Sequence, residues 1–491
     1  MDWSKYLSAE RVRQHDKGVG MADSRSQFES DYGRVLFSSA IRRMHDKTQV
    51  IPLTNGDAIL TRLTHSIQVM NIAESLILNY TRSDQFKADN PDLEKRYELV
   101  SALTAIVRSA AFVHDVGNPP FGHFGETVIQ EFFSRQKAQQ NSFCATSADE
   151  AQLERQSLDF TQFDGNAQGL RILSRLQYIG ALDGLNLTYA TLAAYMKYPN
   201  PGPKKWNKNI ENKKHGVFWS EEEVFNNVVK ACNMLREDGT VKRHPLSFIV
   251  EAADSIAYLM MDIEDAYNLR WFSFETLRKE MNRILNKGKK EGEPDKDIYQ
   301  LINYHSRGFN EETQELLKGA NRKAVVDFRV NMIQYLVNLA VSNFISNLDK
   351  IDAGTYHEEL ILDDSNRVAD ALGKFSQQYI YARREICSEE MTGRSVLNGL
   401  LEILSLYAFS DSKEYRNKVK TVISRSRLEI AVHENSFPDE KYKFFTNSEL
   451  YDYDIKDMGS YGRWRMIVDF VSSMTDKYAV TLYQELSGNK I

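Results

Sequence analysis

The sequence predicts an all-α fold. Apolar residues recur at three- and four-residue intervals in eight stretches, only 10 of 491 residues are proline, and alternating strand-like runs are few and short. At 491 residues the chain exceeds the length at which one core usually stops growing, so two lobes or one elaborated core are expected.

The elements follow in order. Residues 63–78 place Val69, Ile72 and Leu76 at four, seven and eleven positions after His65, which puts that imidazole on the buried face of a helix. Residues 99–116 carry Ala102, Leu103, Ala105, Ile106, Ala110, Ala111, Phe112 and Val113 and leave almost no polar face, so this helix is buried all round. Gly117-Asn118-Pro119-Pro120 stops it sharply, and a further helix spans 122–133. Periodicity then marks 220–235, 246–267, 331–348, 395–407 and 464–486. The strand-like exception is LEIAVHE, residues 428–434, which predicts at most a small ribbon. Three polar stretches, 136–156, 199–215 and 286–297, read as loops or insertions. The second holds five lysines around Trp206, which is a solvated loop first and a nucleic-acid contact second.

The formal net charge is −6, so no global basic field draws in a nucleic-acid backbone. Cys144, Cys232 and Cys387 are odd in number and widely spaced, which predicts reduced thiols. Neither a signal-peptide pattern at the N-terminus nor about 18 uninterrupted apolar residues is present, which predicts a cytoplasmic protein with no membrane partner.

Chemistry concentrates in a few residues. His-Asp occurs three times, at 15–16, 45–46 and 114–115. The first two sit in Lys- and Arg-rich surroundings, where a solvated His and a turn Asp are ordinary. The third is delivered at the end of a core helix, where a carboxylate needs a partner or a metal to offset desolvation. His65 and Asp254 lie on two other apolar helices, the latter in a polar stripe with Tyr258 and Asp262 spaced i, i+4, i+8. Each of these alone would usually be a satisfied core residue. Together, His65, His114, Asp115 and Asp254 form a mixed nitrogen and oxygen set for one divalent cation, Mn²⁺, Fe²⁺, Zn²⁺ or, less well, Mg²⁺. His123 and Glu126, at i and i+3, could form a tuned acid, base or nucleophile, although Glu126 also suits a helix first turn on its own account.

The order Arg62-Leu63-Thr64-His65, His114-Asp115, Asp254 resembles the HD-domain metallophosphohydrolases. RRMHDKTQVIPL (42–53), HDVGNPPFGHFGE (114–126), FDGNAQGLRIL (163–173), AAYMKYP (193–199), EAADSIAYLMMDIEDA (251–266) and DFVSSMTDKYA (469–479) narrow the resemblance. They are similar to the bacterial deoxyguanosinetriphosphate triphosphohydrolases and their animal SAM-and-HD-domain relatives, over about residues 25–480. The resemblance implies an HD-type helical core with added helical lobes, organised as one unit over 1–491. Residues 25–270 would carry the motifs, and 271–491 would complete the substrate pocket and oligomer contacts.

It further implies hydrolysis of a dNTP, dGTP favoured, at the α-phosphorus, giving deoxynucleoside and tripolyphosphate. The four residues above would hold one metal, Mn²⁺ or Mg²⁺ first, and His123 with Glu126 would be the catalytic pair. Arg62 and Lys197 would contact phosphate, Tyr258 and Asp262 would hold the sugar, and Gln49, Val50 and Asn166 would lie nearby. Arg463 and Arg465 are candidate contacts to a neighbouring subunit. A homo-oligomer, tetramer or hexamer, and a single-stranded DNA or dNTP effector are implied as well. The competing readings are another HD phosphohydrolase, such as a 5′-nucleotidase or cyclic-nucleotide phosphodiesterase, and a non-catalytic nucleotide- or DNA-sensing module.

Overall fold

The computed structural model describes residues 1–13, 25–47, 49, 60–138, 150–177, 180–204, 209–286, 302, 309–310, 315–316 and 321–489. Its helices are α1 (Gln27–Leu36), α2 (Ser39–Met44), α3 (Arg62–Arg82), α4 (Asp84–Asp89), α5 (Leu93–Val113), α6 (Gly122–Ala138) and α7 (Glu150–Thr161). Then come α8 (Gly165–Arg171), α9 (Tyr189–Tyr195), α10 (Glu222–Ala231), α11 (Pro245–Asn268) and α12 (Phe274–Asn286). A two-residue antiparallel ribbon, β1 (Phe309–Asn310) with β2 (Glu315–Leu316), precedes α13 (Asn321–Ser346) and α14 (Leu348–Ala353). The rest is α15 (Val368–Ser376), α16 (Arg384–Ala408), α17 (Lys413–Val422), α18 (Arg425–Ser436), α19 (Asn447–Asp452), α20 (Gly459–Ser472) and α21 (Asp476–Leu486). The fold is all-α.

Local chemistry sets the ends of the helices that matter. The Thr61 hydroxyl accepts the Thr64 N–H at the start of α3, and Asp92 accepts the Glu94 and Lys95 N–H groups at the start of α5. In α11, Pro245 occupies the first turn, where its missing N–H costs nothing.

Two hydrophobic cores organise the molecule. The first gathers α3, α5, α9, α10, α11, α13 and α15, with Val69, Leu76, Ile106, Ile256, Met332 and Phe344 in its interior. The second gathers α6, α16, α20 and α21, with Phe132, Phe133, Leu397, Leu401, Ile467 and Val471. They cut across chain order: residues 324–386 pack on the first core, and Phe121, Val128 and Phe160 on the second. A buried ion cluster fastens the seam. Arg171, 1% exposed, ends α8 and pairs with Glu221 at 2.7 Å, Glu434 at 2.7 Å and Asp469 at 2.8 Å.

Some expectations change. LEIAVHE is helical, within α18, because that segment is buried on several sides: Ile430 faces the first core while Leu428, Ala431 and Val432 face the second. With both sides apolar, a seven-residue run shows no helical period. The stretch 464–486 is two helices, broken at Ser473–Thr475, where the Thr475 hydroxyl caps α21. The helix foreseen at 331–348 begins ten residues earlier, at Asn321. Arg322–Ser346 is long and apolar enough, by length and composition, to cross a membrane, but it lays Val325, Phe328, Leu336 and Phe344 into the first core. Trp206 and Cys144 lie outside the described residues; Cys232 is buried, Cys387 exposed, and both are free thiols.

Candidate functional site

α3, α5 and α11 pack on one another and bring His65, His114 and Asp254 to one point. One ligand atom from each lies within 4.8 Å of the others. His65 Nε2 is 3.2 Å and His114 Nε2 3.3 Å from the same atom, Asp254 Oδ1. His114 Nδ1 lies 2.8 Å from the Ala111 carbonyl oxygen, to which it donates. That fixes the tautomer and turns the Nε2 lone pair toward the cluster. His114 Nε2 makes no well-aimed hydrogen bond among the described residues.

Burial alone would discharge these groups, yet the opposite holds. Against desolvation, Asp115 and Asp254 raise the His114 imidazole to about 9. Against the same penalty, His114 and His65 hold the Asp254 carboxyl well below its ordinary value. A site that favours added positive charge this strongly, with two imidazole nitrogens and a carboxylate oxygen converging, fits a divalent cation.

Asp115 stands differently from the other three. Its Oδ2 is paired with Arg62 Nη1, its Oδ1 accepts from Asn118 Nδ2 at 2.6 Å, and that Oδ1 lies 3.6 Å from His114 Nε2. Arg62, 5% exposed, reaches this pair past Gly122. Gly122 has φ +60°, a conformation that favours glycine, and a Cβ there would lie 2.6 Å from Arg62 Nη2 and push the guanidinium aside.

On the second core, α6 carries His123 and Glu126. His123 Nδ1 lies 3.1 Å from Glu126 Oε2, and Glu126 Oε1 accepts the Gly165 N–H at 2.8 Å. The charge of Glu126 and this hydrogen bond raise the His123 imidazole above its usual 6.5. Burial would raise Glu126, but His123 and Lys214 bring it down to about 2. The pair therefore favours an imidazolium held by a carboxylate, with His123 Nε2 as its outward nitrogen. Gly165 can approach because the chain is bare here: a Cβ on Gly117 would lie 2.0 Å from the Gly165 carbonyl oxygen. A Cβ on Gly165 would in turn lie 2.2 Å from Asn118 Oδ1.

One cavity of about 540 Å³ brings the two halves together. His114, Asp115 and Asp254 line one side, His123, Glu126 and Asn166 another, and Lys197, Lys204, Lys213 and Lys214 contribute ammonium groups. Lys197 lies 3.4 Å from Glu251, and Lys214 lies 2.6 Å from Asp164 and 3.5 Å from Glu126. The stretch 199–215 thus lines the cavity at Lys204 and Lys213–His215; Lys204 and Lys213 are exposed, as a solvated loop would have them, while Lys214 is half-buried and His215 buried. A polar run of lysines and asparagines carries no periodicity that would have revealed this.

The remaining candidates are spread more widely. Tyr258 and Asp262 lie on α11 outside that cavity; Asp262 Oδ2 accepts from the Tyr381 hydroxyl at 2.5 Å, and its buried Oδ1 has no hydrogen-bond partner among the described residues. Tyr381, unforeseen in the sequence, stands at the end of a π turn over Gln377–Tyr381. Gln49 lies against Leu60, bonding its N–H to that carbonyl at 3.3 Å, and Val50 lies outside the described residues.

The two arginines proposed as intersubunit contacts are engaged within this chain. Arg465, 2% exposed, donates to Asp469 and Gln168 and stacks on Phe218 at 4.2 Å, so its guanidinium is not available at a surface. Arg463 stacks on Phe409 at 4.2 Å and donates to the Gly459 and Ala408 carbonyls. His45-Asp46 is exposed, as expected of a solvated dipeptide, and His15-Asp16 lies outside the described residues.

Comparison with known proteins agrees in kind. A phosphohydrolase-associated domain profile matches residues 447–485. A deoxyguanosinetriphosphate triphosphohydrolase-like protein of Listeria monocytogenes is 33% identical over 99% of this chain and 100% of its own length. Deoxyguanosinetriphosphate triphosphohydrolases of Salmonella arizonae and Yersinia enterocolitica are 31% and 30% identical, each over 94% of this chain and 93% of their own.

Proposed function

The chain belongs to the deoxyguanosinetriphosphate triphosphohydrolase family, and on that premise we propose that it hydrolyses a dNTP, dGTP first among them, to deoxynucleoside and inorganic tripolyphosphate. The observation that carries this reading is the cavity lined by His114 and Asp254 of the ligand cluster, by the His123–Glu126 pair and by four lysines.

His65, His114, Asp254 and, once freed from Arg62, Asp115 would hold one divalent cation, Mn²⁺ or Mg²⁺, with Fe²⁺ and Zn²⁺ as alternatives. Bound there, such a cation supplies electrophilic polarisation at phosphorus. The protein's own groups do the rest. Lys197, Lys204, Lys213 and Lys214 line the cavity and, with Arg62 released from Asp115, would contact a triphosphate chain. His123 would enter as the imidazolium, its Nδ1–H held by Glu126 Oε2, and would donate its separate Nε2 proton to the departing 5′ oxygen as water adds at the α-phosphorus, the proton given up by that water passing to solvent. The unpartnered Asp262 Oδ1 supports its role as acceptor for a 3′-hydroxyl, with Tyr381 fixing the other oxygen and Tyr258 one turn away beneath the sugar. Asn166 and Gln49 complete the contacts.

The same membership supports a single functional unit acting as a tetramer or hexamer in the cytoplasm, with single-stranded DNA or a second dNTP as effector. The test is product identity. Each dNTP is incubated with Mn²⁺-reconstituted protein and the products are separated by ion exchange. Tripolyphosphate with deoxynucleoside is expected; orthophosphate or pyrophosphate as the only inorganic product would refute the reading.

A further inference from the structure

The loop Gly117–Phe121 joins the end of α5, beside His114 and Asp115, to the start of α6, one residue before His123. It is the link between the metal-cluster half of the cavity and the His123–Glu126 half. Its backbone is strained at the far end, where Phe121 has φ +63°, a region that bulky residues avoid. Such a conformation persists only where the surroundings impose it.

Two polar side chains from distant positions hold the loop. Lys47 Nζ donates to the Asn118 carbonyl at 2.6 Å and to the carbonyl of Ser472, the last residue of α20, at 3.1 Å. Asp476, the first residue of α21, accepts the Phe121 N–H at 3.0 Å. Both side chains are 3% exposed, and neither lines the cavity. A lysine amine buried this deeply, which burial brings down to about 7, carries a desolvation cost that an apolar side chain of the same length would avoid. Its two acceptors belong to the loop and to the segment matched by the phosphohydrolase-associated profile.

We propose that Lys47 and Asp476 are positioning residues that hold this loop against residues 447–485, so that His123 keeps its place opposite the metal cluster. Residues 447–485 are then the wall on which the loop is set. The proposal rests on the reading of His123 as the proton donor.

The test uses full-length, Mn²⁺-loaded protein with dGTP and compares Lys47→Met, Asp476→Ala, Asp476→Asn and His123→Ala with wild type. Steady-state kinetics, Mn²⁺ affinity by calorimetry and thermal unfolding are measured for each. Lys47→Met and Asp476→Ala are expected to lose about tenfold or more in kcat, since small misplacements of a reacting group cost that much, with KM and Mn²⁺ affinity little changed. Asp476→Asn, which keeps the oxygen acceptor, is expected to restore most of the rate. The proposal is overturned if Lys47→Met and Asp476→Ala keep wild-type kcat, or if kcat, KM, Mn²⁺ affinity and unfolding temperature all deteriorate together. If Lys47→Met does not fold, the Asp476 pair decides: a loss in Ala without recovery in Asn overturns it. Wild type indifferent to His123→Ala overturns the underlying reading and the proposal with it. Dependence on His123 without dependence on Lys47 and Asp476 overturns the proposal alone.

Discussion

The metal-cluster half of the cavity and the His123–Glu126 half rest on different foundations. His65, His114 and Asp254 stand on or at the end of three long helices of the first core, of which α11 is buried along most of its length. His123, by contrast, stands at the first turn of α6 with 75% of its side chain exposed, and only Glu126 beneath it is buried. The first half is a rigid charge trap. The second is a surface group tuned by one buried neighbour, and its position depends on a loop and on a second core.

That contrast can be broken from either side. The largest effect is expected on the first half: Asp254→Ala, or chelation of wild type, should reduce dNTP hydrolysis by about 10³-fold or more. Far-UV circular dichroism should be unchanged, and for chelated wild type added Mn²⁺ should restore the rate. Activity that survives both treatments would remove the metal from the scheme. On the second half, His123→Ala should lower kcat by about 10²–10⁴-fold while Mn²⁺ affinity stays at the wild-type level. Parallel loss of metal binding would show that the halves are not separable.

The seam between the cores gives a third handle. Arg171→Met leaves Glu221, Glu434 and Asp469 buried without their shared cation. Denaturant unfolding should show a loss of about 3–5 kcal/mol, the cost of breaking a buried ion cluster from one side.

The smallest effect is a shift in pH profile. Glu126 raises His123 above its usual 6.5, so the proton donor is lost, and kcat falls, only as pH rises through that raised value. Glu126→Gln removes the charge, His123 loses its proton at lower pH, and the alkaline limb of kcat should move toward acid. A limb that stays in place would mean that another group sets it.

How much of this was legible depended on how many sides of each segment are buried. The helices of 99–116 and 246–267 show in the sequence because continuous apolar composition leaves no other fold for them, and with them came His114, Asp115 and Asp254. His65 was legible through the spacing of Val69, Ile72 and Leu76 behind it. The C-terminal run 428–434 misled because it faces two cores at once. Lys214 was hidden in a lysine-rich stretch whose surface composition conceals a half-buried ammonium between Asp164 and Glu126. Tyr381 reaches Asp262 across 119 positions of chain, a pairing that no local pattern encodes. Arg465 looked like an exposed cation beside Arg463, yet Asp469 one turn on draws it into the interior.

The placement of the cavity on the seam also bears on unfolding. A triphosphate held by Lys197 on one wall and Lys214 on the other would act as a further strut across the seam, beside the loop, the close-packed glycines and the ion cluster. Ligand occupancy would therefore resist separation of the cores by RT ln(1 + [L]/Kd), about 2.7 kcal/mol at a hundredfold excess over Kd. Nucleotide supply would then govern how long each molecule survives as well as how fast it turns over.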